Sequence, residues 1–388
     1  MKRHLAEFVS PGHPDRLADA IVESCVELAV SRDPDALVGV ECAVHDDAVF
    51  LDGRIAAGRD GAPAVSRDEL SALVRAAYRA AGYGSRWTPA PDALRVFVEV
   101  CLEPLRDDER AIRDLSDDQN AVLGYACNRP ETGFLPPAHF VANAIGRRVA
   151  AWRAGASDRF GPDFKVLVSL REEGGRFAWE RLTLSIQHAP DVDARARHDA
   201  LAPVVADALA ALERSGLRGV AALDPERFVL NGAGDFVQGG PEGDNGLSGK
   251  KLAVDFYGPG VPLGGGAICG KDPHKVDVCG AFRARQFAVR LVRERGCAEA
   301  LVRLGWTPGD AAPAHREGLL VDAFGLARPL PERDLPPADW FSIGATVRDL
   351  GLVSLPRRRL ALDGYFASWN AANRPTMGKS ASAGHRGG

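Results

Sequence analysis

Apolar residues after the turn Ser10-Pro11-Gly12-His13-Pro14-Asp15 fall at Leu17, Ile21, Val22, Cys25, Val26 and Ala29, until Pro34 ends the run. This is helical spacing, and it predicts a first helix entered through a tight turn. Residues 37 to 55 predict two strands around Asp46-Asp47. Ser66 and Glu69 form a capping-box pattern ahead of Leu70, Leu73, Val74 and Ala77, and Leu94, Val96, Val98 and Val100 then alternate as a strand.

The order strands, helix, strand returns further on. Strands are expected near 165 to 170 and 177 to 187, a helix from about Val192 to Glu213, and a short strand from Phe228 to Leu230. A third round would comprise a strand from Leu252 to Tyr257, a helix from His274 to Glu294 and a strand from Leu319 to Phe324. Three similar α+β domains of about 110 residues suit a chain of this length, with expected bounds 1–103, 112–236 and 237–373. The polar stretch from Leu102 to Arg110, which holds Pro104, reads as a loop, either linker or lid. Residues 374–388 are rich in Gly, Ser and Ala and are expected to be disordered.

The 388 residues, 46% hydrophobic and 26% charged, have globular composition. A net charge of -4 gives no general attraction to nucleic acid or anionic lipid, so neither is expected as a partner, and a bound polyphosphate would need a local cationic cluster. Seven cysteines without a C-x-x-C suit a reducing compartment. The charged N-terminus and the lack of a long apolar run predict a soluble, cytoplasmic protein without a membrane span.

Four lysines change the picture. Gly264-Gly265-Gly266-Ala267-Ile268-Cys269-Gly270-Lys271 resembles a phosphate-binding P-loop, except that Asp272 stands where the Mg²⁺-holding hydroxyl belongs. Phe236-Val237-Gln238-Gly239-Gly240-Pro241-Glu242-Gly243-Asp244 leads through Gly246 and Gly249 to Lys250 and Lys251, a glycine-rich stretch that either approaches a ligand or forms a surface hairpin. Lys250, Lys251, Lys271 and Lys275 fall within 26 positions and together can neutralise a triphosphate. Gly12-His13-Pro14-Asp15-Arg16 sits at a helix mouth, where it can bind an anion with its Mg²⁺ or simply start the helix. Asp277 suits a Mg²⁺ ligand or a first-turn acid favoured by the dipole.

In order and spacing, Gly12-His13-Pro14-Asp15, Gly239-Gly240-Pro241 with Gly243-Asp244, and Gly264 to Ala267 with Gly270-Lys271-Asp272-Pro273 and Lys275-Val276-Asp277 resemble the signatures of the S-adenosylmethionine synthetase (methionine adenosyltransferase) family. The resemblance runs from about Glu7 to Asp277 and more weakly to about residue 370. It implies an α+β fold of three similar interleaved domains with pseudo-threefold symmetry, in a homodimer or tetramer with active sites at the subunit interface. The implied reaction is attack of the methionine sulfur on C5′ of ATP, releasing triphosphate that is cleaved to pyrophosphate and phosphate, assisted by two Mg²⁺ and a K⁺. By matching positions, His13 would contact the departing oxygen, Asp15 and Asp277 would each hold a Mg²⁺, and Glu41 would serve K⁺. Lys165, Lys250, Lys251, Lys271 and Lys275 would grip the polyphosphate, Phe236 would stack on adenine, and Asp163 and Asp244 would anchor the nucleoside, while Asp118 and Gln119 match a glycine-rich loop.

Departures cluster on the amino-acid side. Arg54 stands where the resemblance implies a methionine-holding glutamate, Leu102 where it implies a glutamine, and Asp235 where it implies an arginine. Leu115-Ser116-Asp117-Asp118-Gln119-Asn120 replaces a loop of three glycines, Arg16 replaces a lysine, and Gly305 to Asp310 lacks the usual pattern. Methionine is the expected acceptor. The alternatives are a different thioether, which Arg54 would welcome if acidic, or a triphosphate-releasing hydrolase or nucleotide-binding paralogue. A true P-loop ATPase would use Leu319-Leu320-Val321-Asp322 as its acidic strand, which Asp272 disfavours.

Overall fold

The structure, a computed structural model, describes residues 1–58, 61–84 and 86–369; the tail expected to be disordered lies outside them. The chain begins with β1 (Lys2–Val9), α1 (Pro14–Arg32), the hairpin β2 (Leu37–His45) and β3 (Ala48–Ala56), α2 (Arg67–Ala81) and β4 (Arg95–Glu103). After a one-turn helix α3 (Asp107–Ala111) come β5 (Asn120–Cys127), α4 (Pro137–Ala154), the hairpin β6 (Phe160–Glu173) and β7 (Arg176–His188), α5 (Ala194–Arg214) and β8 (Phe228–Leu230). The third round is β9 (Gly246–Leu247), the single turn α6 (Leu252–Asp255), α7 (Val276–Arg295), the hairpin β10 (Glu299–Trp306) and β11 (His315–Val321), and β12 (Ala327–Pro329). Three helices close the described chain: α8 (Ile343–Leu350), α9 (Arg357–Asp363) and α10 (Tyr365–Ser368).

Three four-stranded sheets result, ordered β4-β3-β2-β9, β8-β7-β6-β1 and β12-β11-β10-β5. Each is a hairpin with a third strand on one side and, on the other, an antiparallel strand borrowed from elsewhere in the chain. The borrowing is cyclic: β1 joins the second hairpin, β5 the third and β9 the first, which makes the architecture interleaved and pseudo-threefold. The symmetry breaks at one place for a topological reason. Helices α2 and α5 carry the chain across so that β4 and β8 run parallel to their neighbours, whereas β11 reaches β12 through the tight turn Asp322–Leu326 and must pair antiparallel.

Each sheet buries one face under helices. On the first, Val38, Val40, Cys42, Val44, Val49 and Leu51 point to α1 and α2, while Phe50, Phe97 and Leu247 stay exposed on the other face. Helix α1 is buried on two sides, because α9 packs on it as well. Its polar residues Asp15, Asp19 and Glu23 are therefore inside the protein.

The structure corrects two expected strands. Leu252–Tyr257 has strand-like composition, yet residues 252–255 form α6, whose Asp255 turns inward onto the Arg16 guanidinium. A buried carboxylate needs that partner. The strand foreseen from Leu319 to Phe324 starts earlier and stops at Val321, leaving Phe324 in an exposed turn. The stretch Leu102–Arg110, foreseen as loop, contains the end of β4 and the turn α3, capped by Glu109 onto the Arg106 backbone.

Candidate active site

The first group of functional side chains forms where α1 begins. His13 is the N-cap, and its Nδ1 accepts the backbone N–H of Asp15 at 3.2 Å, which places the ring hydrogen on Nε2. Pro14 is preorganised for the first turn. Burial lowers the His13 pKa to about 3, assisted by the positive charges of Lys165, Lys251 and Arg16, so the imidazole is a neutral donor at physiological pH. Tyr83 Oη fixes the turn by donating to the Gly12 carbonyl at 2.5 Å.

Asp15 is 1% exposed yet ionised: burial pushes its pKa up, but Lys251 at 2.8 Å and the Leu247 N–H at 3.0 Å outweigh that and hold it below the usual range, and Lys250 lies 3.5 Å away. Asp163, at the start of β6, accepts the Gly240 N–H at 2.8 Å, and burial raises it to about 6. Lys165 extends from the same strand to the exposed side, half-buried Phe236 packs against Gly239, and Asp244 is exposed beside them. These residues form one cluster.

The second group lies on the Gly264–Asp277 segment. Gly270 takes φ +75°, and its carbonyl accepts the Val40 N–H at 2.9 Å. A Cβ there would come within 2.1 Å of the Val40 carbonyl oxygen, so only glycine fits. Lys271 is thereby paired with Gly39 along β2, and its Nζ meets Asp277 Oδ1 at 2.6 Å. Gly266 approaches so closely that a Cβ would lie 1.6 Å from that carboxylate oxygen. Asp118, Gln119, Gly265, Lys271, Asp277 and Trp306 line a shared depression of about 480 Å³. Lys275 pairs with Asp117.

Asp272 is no failed metal ligand. It is fully buried and accepts the N–H groups of Val38 (2.9 Å) and His274 (2.9 Å) and the Arg113 guanidinium. A Ser hydroxyl here could not satisfy three donors.

Among the described residues no hydrogen bond or ion pair joins the first group to the second. No group of three or more His, Cys, Asp or Glu placed to hold a metal ion is present among them either. The donor sets do fit Mg²⁺ held by one carboxylate each, Asp15 or Asp277, with a polyphosphate completing the shell. Glu41 lies exposed on β2 opposite Asp52, between Gly39, which pairs with Lys271, and Cys42, whose carbonyl accepts the Ser248 N–H, with no ion pair to either lysine group among the described residues.

The departures acquire partners. Arg54 pairs with Glu103 at 2.9 Å and with Glu109 at 2.8 Å. Arg106 also pairs with Glu109, at 3.2 Å, so two guanidiniums and two carboxylates share this locality. Leu102 packs into the core, and Asp235 accepts a 2.7 Å bond from Arg197. The Phe236 N–H is tied to His188 Nε2 at 3.0 Å. Arg110 pairs with Asp33 and Asp35, so the connector between β4 and β5 is fastened at two adjacent residues of α3, Glu109 and Arg110. Arg54→Ala is expected to raise amide exchange in residues 104–112 about fivefold, from ~1 kcal/mol for half-exposed ion pairs. Unchanged exchange would show that Arg54 does not hold the connector.

Sequence reading missed the roles of Asp117, Arg113, Asp19 and Glu23. The only signal was periodic: Asp15, Asp19, Glu23 and Glu27 recur every four residues, one stripe along α1.

Comparison with known proteins agrees in all three parts of the chain. Residues 2–100, 114–236 and 238–334 match the N-terminal, central and C-terminal domain models of S-adenosylmethionine synthetase. S-adenosylmethionine synthase 2 of Rhodospirillum rubrum is 31% identical over 313 residues, covering 79% of this chain and 77% of the relative. The S-adenosylmethionine synthase of Methylobacterium sp. (strain 4-46) is 33% identical over 333 residues, 83% of this chain and 81% of the relative. An unusual S-adenosylmethionine synthetase from Campylobacter jejuni shares the fold, with a TM-score of 0.78 at 22% identity over 94% of each chain. With three domain models matched in order and relatives above 30% identity along most of its length, the chain belongs to the S-adenosylmethionine synthetase family.

Proposed function

We propose that the protein is a methionine adenosyltransferase: the methionine sulfur bonds to C5′ of ATP as the C5′–O bond breaks, giving S-adenosylmethionine and triphosphate. Hydrolysis of triphosphate to pyrophosphate and phosphate would follow in the same site. The observation carrying this reading is the presence of two lysine–carboxylate groups, Lys250/Lys251 on Asp15 and Lys271 on Asp277, on glycine-rich loops of a synthetase fold. A thioether is an uncharged nucleophile, so the barrier falls chiefly by alignment and by stabilising charge on the departing triphosphate. The lysines supply that charge, and neutral His13, with hydrogen on Nε2, can donate to the departing oxygen. Mg²⁺ bound at Asp15 and Asp277 would add Lewis-acid stabilisation of the phosphates, and K⁺ at Glu41 would be structural.

The acceptor side also favours methionine. Gly39 is the strand partner of both Lys271 and Arg54, and a Cβ on it would meet nothing within 4 Å. This leaves an open slot between the Lys271 group and the Arg54–Glu103–Glu109 cluster. With its charge met by two glutamates, Arg54 has none in excess to select an acidic acceptor. The amino-acid ammonium is assigned to Asp118, beside Lys271 in the depression.

Neither half-site is complete alone, and both open toward sheet faces bearing exposed apolar residues. Phe50 and Phe97 stack at 5.3 Å on the first sheet, and Leu5 and Leu167 are exposed on the second. These features support a homodimer in which the first group of one protomer faces the second group of its partner. No described helix is long and apolar enough to cross a membrane, and all seven cysteines are free, which supports a cytoplasmic setting.

The test is incubation of the pure protein with ATP, Mg²⁺ and K⁺, with and without methionine, followed by mass spectrometry. S-adenosylmethionine formed only with methionine is the expected result. Triphosphate released at the same rate without methionine would replace transferase by hydrolase.

A further inference from the structure

Arg357, on α9, is 2% exposed and lies outside the three matched segments, the last of which ends at 334. Its Nε and Nη2 fork onto the Glu23 carboxylate of α1 at 2.6 and 3.0 Å. The same Nη2 donates to the backbone carbonyl of Lys271 at 2.8 Å and to that of Ile268 at 3.2 Å. Tyr365 Oη of α10 donates to Glu23 Oε1 at 2.5 Å, completing a sealed network.

A buried carbonyl without a donor is costly, so the route taken by the 268–272 backbone depends on where its carbonyls find N–H groups. Along one edge this segment is held by β2: Val40 donates to the Gly270 carbonyl at 2.9 Å, and the Asp272 N–H donates to Val38 at 3.1 Å. Among the described residues the Lys271 and Ile268 carbonyls accept no backbone N–H, β2 engaging Gly270 and Asp272 instead, and the guanidinium serves both. Arg357 is in turn held by the α1 stripe that holds the other lysine loop, where Asp19 accepts the Gly249 N–H at 2.8 Å and Asp15 the Leu247 N–H at 3.0 Å. One helix face thus sets the backbone of both lysine loops, directly for 247–249 and through Arg357 for 268–271.

We infer that Arg357 is a positioning residue for Lys271: by fixing the carbonyls at 268 and 271 against Glu23, it sets the position from which the Lys271 ammonium meets the polyphosphate. The inference rests on the proposed function for the identity of that polyphosphate, but not for the backbone effect. A lysine at 357 retains the positive charge for Glu23 but cannot reach the carboxylate and two carbonyls with a planar fork. Tyr365→Phe weakens the same buried network without touching the Lys271 carbonyl, and so serves as the structural control.

Wild type, Arg357→Lys and Tyr365→Phe are compared by thermal unfolding, by amide exchange at Val40 and Asp272, and by steady-state kinetics with ATP and methionine. Arg357→Lys is expected to raise exchange at Val40 and Asp272 about tenfold or more and to lower kcat about 10- to 100-fold, with the methionine KM within about twofold. Tyr365→Phe should lower the unfolding temperature while leaving both readouts near wild type. Equal losses in the two variants would reduce Arg357 to a general structural role, and a folded Arg357→Lys with wild-type exchange and kcat would remove it altogether. Should Arg357→Lys fail to fold, the double variant Arg357→Met with Glu23→Met, which buries no unpaired charge, is read by the same criteria. If the wild type forms no S-adenosylmethionine, the proposed function fails, and the exchange comparison still decides the role of Arg357.

Discussion

A His13→Ala variant and a Lys271→Ala variant, each with little activity alone, are expected to recover about a quarter of wild-type turnover when mixed in equal amounts and allowed to exchange subunits. The figure follows from the two separate groups. If each site combines His13, Asp15 and Lys251 of one protomer with Lys271 and Asp277 of the other, a mixed dimer has one site carrying both defects and one carrying neither. Random exchange makes half the dimers mixed, and half of their sites are intact. Size-exclusion chromatography with mass tagging confirms that mixed dimers have formed. No recovery in a confirmed mixed population would mean that both groups serve one site within a single chain.

The second large effect is expected at Lys271 itself. Lys271→Ala should lower kcat/KM about 100- to 1,000-fold, or ~3–4 kcal/mol, the range for removing one fixed charge or donor from a transition state. Two effects act together. The lysine no longer meets the departing triphosphate, and Asp277, now paired with Lys271 at 2.6 Å, is left as an uncompensated negative charge beside it. The fold should tolerate the change, because the side chain is about a third exposed and the backbone is held by Val40, Asp272 and Arg357. Calorimetric titration with ATP and steady-state kinetics check the prediction. A loss below about threefold would place the triphosphate away from this segment.

The substitutions that set this chain apart are compensated one by one. Arg54 is matched by Glu103 and Glu109, Asp235 by Arg197, and Arg16 by Asp19 and Asp255. A sequence reading sees charge reversals at Arg54 and Asp235, and Arg54 opens a different thioether as the alternative to methionine. The partners of these two residues lie 38 to 55 positions away along the chain, too far for any local rule to pair them. With the charge at Arg54 balanced, the argument for an acidic acceptor loses its physical basis.

What could be read from the chain alone was whatever local periodicity or local chemistry dictates. The helix after Pro14, the hairpin around Asp46-Asp47, the Ser66–Glu69 capping box and the alternation from Leu94 to Val100 each depend on residues within a few positions. So do the glycine-rich loops, since only glycine permits φ +75° at 270 and the close approach at 266. The cyclic exchange of β1, β5 and β9 was not legible, because pairings such as Val9 with Lys165 and Ala43 with Leu247 join strands more than 150 residues apart. Nor was the fate of Leu252–Tyr257, of which residues 252–255 form α6 with Asp255 on the Arg16 guanidinium. Tertiary structure alone decided which carboxylate meets which lysine, and that among the described residues no hydrogen bond or ion pair joins the two lysine groups of one chain. A buried charge takes whatever counter-charge the fold brings to it, and sequence distance has no bearing on that choice.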